Sequence, residues 1–62
     1  MKRKDFVKEQ VQNLRNDISE QDVMENVKRY AQKREIEYES YGGFENYCMD
    51  LYAEIYLETY RE

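Results

Sequence analysis

Residues 44–60 read FENYCMDLYAEIYLETY, and the fold turns on how the apolar residues of this stretch are spaced. At about 100° per residue, Phe44, Cys48, Leu51 and Ile55 fall on one narrow seam flanked by Tyr47 and Tyr52. Met49, Tyr56 and Tyr60 lie roughly a third to a half of a turn away, and Ala53 and Leu57 almost opposite. Asp50, Glu54, Glu58 and Arg61 fill the remaining sector. The pattern predicts a helix over 44–60. A helix that is apolar around most of its girth is normally buried on more than one side. Two further short helices leave part of it uncovered, so surplus apolar surface is expected.

Upstream of that helix, Gly42-Gly43 is the only glycine pair and marks a break. A second helix is expected over about 20–36. Ser19 suits its N-cap, Asp22 stands in the capping-box position, and Ile18 and Val23 occupy the hydrophobic-staple positions. Glu20 and Asp22 place negative charge at the positive end of the helix dipole. Its apolar face is Val23, Met24, Val27, Tyr30 and Ala31. Beyond that, Arg34 falls on the face and Ile36 off it, so the helix should weaken between Arg34 and Ser40. The first helix is expected over about 3–16, with Phe6, Val7, Val11 and Leu14 on one face and Gln10 inside the stripe, toward its edge. Lys2, Arg3 and Lys4 oppose the dipole at its start and favour fraying. Residues 16–18 form a tight turn. The expected architecture is all-α: a small three-helix bundle, or a helical hairpin with a third helix, in a single domain spanning 1–62.

Sixty-two residues set limits on how such a domain is stabilised. Chains this short bury only about 60% of the surface they expose when unfolded. They usually add a disulfide, a metal or a partner chain. Cys48 is the single cysteine and histidine is absent, which rules out an intrachain disulfide and zinc patterns built on Cys/His pairs. Tight packing or homo-oligomerisation remains. The lone thiol and the lack of a signal segment fit a reducing, cytoplasmic setting. No apolar run approaches the roughly 18 residues of a membrane span.

Charge is unevenly placed. Residues 1–34 hold nine Lys/Arg against six Asp/Glu, a net of +3; residues 35–62 hold one Arg against eight acids, a net of −7. The two halves should attract each other, within one molecule or between two.

The same residues exclude most chemistry. Without histidine, Cys-His and Ser-His catalysis cannot be assembled. Cys48 lies on the core seam and reads as a small buried hydrophobe. The glycine pair lacks the spacing of a phosphate-binding loop. Glu35, Glu37 and Glu39 alternate and do not converge on a helix. Asp50, Glu54 and Glu58 do converge, as a solvated face or as a dock for basic groups, since building a carboxylate metal site takes two or more such helices. No cofactor or metal is expected, and the chain does not read as an enzyme.

Three functional readings follow. The first is a small acidic module that binds a partner protein, and itself, through its tyrosine-rich C-terminal helix. Its contact residues are Met49, Asp50, Tyr52, Glu54, Tyr56, Leu57, Glu58 and Tyr60. Tyrosine, with an apolar ring and a polar tip, suits interfaces that are sometimes wet. The second is an acidic phosphate mimic, in the manner of phage inhibitors, blocking a basic nucleic-acid-handling enzyme of the restriction, CRISPR or repair type. The third is a DNA-binding accessory protein using Lys2, Arg3, Lys4, Lys28, Arg29, Lys33 and Arg34. Direct binding is disfavoured because the basic residues lie in one half and most aromatics in the other, where phosphate and base contacts need them together.

Overall fold

The computed structural model describes residues 1–61 and is helical throughout, with no strand among the described residues. Four helices succeed one another: α1 (Arg3–Arg15), α2 (Glu20–Gln32), α3 (Glu35–Glu39) and α4 (Phe44–Tyr60). The three long helices pack together and α3 is a single short turn between α2 and α4. The molecule measures 31 × 21 × 19 Å. α4 is the hub, because each of the other helices packs on it.

The core forms where the apolar stripes of the long helices meet. Val23, Val27, Ala31, Leu51 and Ile55 are fully enclosed, and Phe6, Val7, Val11, Tyr30, Tyr47 and Cys48 close around them. Burying a side chain such as Leu51 or Ile55 stabilises the fold by about 1.5–3 kcal/mol. Phe6 stacks on Tyr30 with ring centroids 4.2 Å apart, which joins α1 to the last turns of α2.

Local chemistry explains the joints. The Ser19 hydroxyl accepts the Asp22 backbone N–H at 3.1 Å, so the expected N-cap of α2 is formed. α1 ends in a Schellman motif: Ile18 N–H donates to the Asn13 carbonyl and Asp17 N–H to the Leu14 carbonyl. Asp17 occupies the left-handed position of that motif with φ 65°. A similar pair of bonds, Gly43 N–H to Tyr38 and Gly42 N–H to Glu39, closes α3. Gly43, the N-cap of α4, has φ 122° and ψ 173°, a region essentially closed to residues with a side chain.

The structure departs from sequence expectation at three places. α2 stops at Gln32 and does not reach residue 36. Arg34 leaves the helical region at φ −129° and turns its guanidinium onto the Tyr30 ring, 4.2 Å from the centroid, while also donating to the Met1 carbonyl. That contact takes the place of another helical turn, and Ile36 is left 90% exposed on the separate α3. Gln10 stays inside its stripe and does not shift to the edge; it is buried, and its side-chain oxygen accepts from Asn13 and from Asn26 of α2 at 3.1 Å each. Arg3, expected to loosen the first turn, is instead held by α4.

Candidate protein-interaction surface

α4 divides into an inner face, an acidic edge and an outer face. The inner face is the predicted seam. Cys48, Leu51 and Ile55 are buried and Phe44 packs against them. Tyr47 joins this face and is almost wholly enclosed. Its hydroxyl donates to the Glu37 carboxylate at 2.8 Å, and burial together with that bond pushes its phenol up to about 12. Burial also raises the Cys48 thiol above its ordinary range.

The acidic edge lies against α1. Arg3 donates from Nη2 to Asp50 at 2.7 Å and to Glu54 at 2.7 Å, and from Nε to Glu54 at 3.0 Å. The same guanidinium stands 5.4 Å from the centre of the Tyr47 ring and 5.6 Å from that of Tyr41. Glu58 pairs with Arg61 at 3.2 Å. A groove of about 580 Å³ between the two helices carries Lys4, Lys8 and Arg15 on its α1 side and Glu54 and Glu58 on its α4 side. The attraction foreseen between the basic and acidic halves is therefore made within one molecule.

The outer face faces solvent. Met49 and Leu57 are each 68% exposed, Tyr60 57% and Tyr56 45%, and Ala53 is exposed among them. No charged side chain interrupts this strip. Tyr52, Tyr56 and Tyr60 form a ladder along one side of it, with ring centroids 6.4 Å and then 4.7 Å apart. Tyr52 is its inner rung. It is half-buried against the core, its hydroxyl donates to Glu20 of α2 at 3.3 Å, and burial followed by that carboxylate raises its phenol.

The eight residues singled out from sequence thus separate into groups. Met49, Tyr56, Leu57 and Tyr60 share the outer face. Asp50, Glu54 and Glu58 stand on the edge, engaged with Arg3 or Arg61. Tyr52 bridges α4 to α2. Of the basic residues, Lys2, Arg3, Lys33 and Arg34 line one groove near Met1, while Lys4 and Lys28 line others.

Two features escaped the sequence reading. Arg3, as partner of the acidic edge, has no local signal because its carboxylates lie 47 and 51 residues away. Ala53 did carry a signal: Asn46, Met49, Ala53, Tyr56 and Tyr60 succeed one another at steps of three, four, three and four residues, the alternation of a coiled-coil seam.

Among the described residues, no helix is long and apolar enough to cross a membrane, and no group of three or more acidic or thiol side chains is gathered to hold a metal ion. The chain matches no protein-family model, no curated protein and no solved structure.

Proposed function

We propose that this protein is a small acidic helical interaction module that binds a partner protein, and itself, through the outer face of α4. The carrying observation is the uninterrupted exposed strip of Met49, Ala53, Tyr56, Leu57 and Tyr60 on a helix whose opposite face is the core. An exposed aliphatic residue standing alone is ordinary; a contiguous strip rimmed by polar groups marks a contact surface. The tyrosine ladder supports the same reading, since tyrosine rings, with two rotatable bonds each, lose little side-chain freedom on binding.

The phosphate-mimic alternative draws less support. Two of the three convergent carboxylates already face Arg3, so the edge offers a basic enzyme less free negative charge than the sequence suggests.

Affinity capture with the wild-type chain and with Leu57→Glu and Tyr60→Glu variants tests the proposal. Retention of a defined protein by the wild type, lost with both variants while far-UV circular dichroism is unchanged, is the expected result. Equal retention by all three removes the outer face from any binding role. Loss only on Asp50→Lys, at low salt, favours the acidic edge.

A further inference from the structure

The outer face carries enough pattern to name an occupant, granted that it is a contact surface at all. We infer that α4 pairs antiparallel with α4 of a second copy of this chain, in a register that sets Met49 opposite Tyr60 and Ala53 opposite Tyr56. Three observations converge on this arrangement.

The first is periodicity. Steps of three and four residues over Asn46, Met49, Ala53, Tyr56 and Tyr60 keep one stripe facing a partner helix for about 21 Å at about 1.5 Å per residue. All five positions are exposed in the single chain.

The second is volume. A two-fold pair is self-complementary, so whatever one residue meets, its own copy meets in return. Parallel helices would set Ala53 on Ala53 and Tyr56 on Tyr56, a gap followed by a crowd. The antiparallel register sets the smallest side chain of the strip against the ring of Tyr56 twice, and Met49 against the ring of Tyr60 twice. Methionine adapts well to an aromatic edge.

The third is charge. Asp50 and Arg61 project from the same side of α4, about 20° apart around its axis. In the antiparallel register the Arg61 of one copy lies level with residue 48 of the other, only about 3 Å along the axis from that copy's Asp50. Arg61 is the only base in residues 35–62 and is 73% exposed. In a parallel pair the two-fold would set this flank of one helix beside the opposite flank of the other, so Asp50 and Arg61 would not meet. A shallow groove of about 280 Å³ along this edge, with Asp50, Ala53, Leu57 and Arg61 in its lining, gives the incoming side chains room.

Sedimentation equilibrium over about 1–300 µM, with spin-label distances, decides the matter. The wild type is expected to dimerise. Ala53→Glu, at an exposed position, should weaken the dimer by about 100-fold while leaving helicity intact. Arg61→Glu should weaken it by roughly fivefold, with the difference fading at high salt. In a Cys48→Ala background that still dimerises, a label at residue 46 should sit about 26 Å or more from its copy, against about 10 Å in a parallel pair. A wild type that stays monomeric, a dimer indifferent to Ala53→Glu, or a short distance between labels overturns the inference. A monomer that still loses a captured partner on Leu57→Glu would sink self-pairing while sparing the broader interaction role.

Discussion

Arg3 grips Glu54 with two of its nitrogens, Nε at 3.0 Å and Nη2 at 2.7 Å, and so ties the first turn of α1 to the middle of α4. Both groups keep contact with water, at 25% and 43% side-chain exposure, which holds the pair well below the strength of a buried one. Arg3→Ala should lower unfolding stability by about 1 kcal/mol, counting the lost cation–π contacts with Tyr41 and Tyr47. Urea titrations should show the deficit shrinking as salt is raised, because part of it is screened.

Asp17 holds a left-handed backbone that glycine adopts without strain. Asp17→Gly keeps the two Schellman bonds and relieves that strain, so it should stabilise the protein by about 0.5–1 kcal/mol. Thermal melts of the variant at matched protein concentration check this; a lower melting temperature would count against the cap geometry.

Gln10 links α1 to α2 through one oxygen that accepts from Asn13 and Asn26. Gln10→Ala removes that acceptor and opens a void in an enclosed site. A loss of about 2–3 kcal/mol is expected in chemical denaturation. Restoring shape without the amide, as in Gln10→Met, should recover only the packing share.

Tyr47 sets an alkaline limit. Its folded-state value of about 12 lies above the ordinary 10.0, so the folded chain holds the phenolic proton more tightly than the unfolded chain does. The contribution to stability is complete below pH 10 and drains away as pH climbs toward 12. Tyr52 shifts in the same direction, from burial first and Glu20 second. Denaturant midpoints measured across that window should fall for the wild type and fall less for Tyr47→Phe.

The parts of this fold that were legible in the sequence are those governed by neighbours along the chain. The seam of Cys48, Leu51 and Ile55, the Ser19 cap and the glycine break all follow from spacing within a few residues. A weakening of α2 from Arg34 onward is legible in the pattern, but its stop already at Gln32 is not, because Arg34 leaves the helix to meet Tyr30 and the Met1 carbonyl. Gln10 reads as a polar intrusion into the apolar stripe until Asn26, sixteen positions on, is seen to satisfy its amide oxygen. The acidic edge reads as free charge until Arg3 is brought across from the other end of the chain. On the outer face, Met49, Tyr56, Leu57 and Tyr60 stand out as surplus apolar residues, whereas Asn46 and Ala53, polar and small, join them only through the three-and-four spacing.

The hub position of α4 makes the molecule divisible. Residues 1–42 carry Phe6, Val7, Val11, Val23 and Val27, the walls of a trough, and α4 carries the ridge of Tyr47, Leu51 and Ile55 that fills it. Between them runs only the Gly42-Gly43 joint. The core is complete only when trough and ridge meet, so two peptides parted at that joint are expected to fold fully only on finding each other, as a bolt fills its lock. Fused to the halves of a split reporter, they would light only on reassembly.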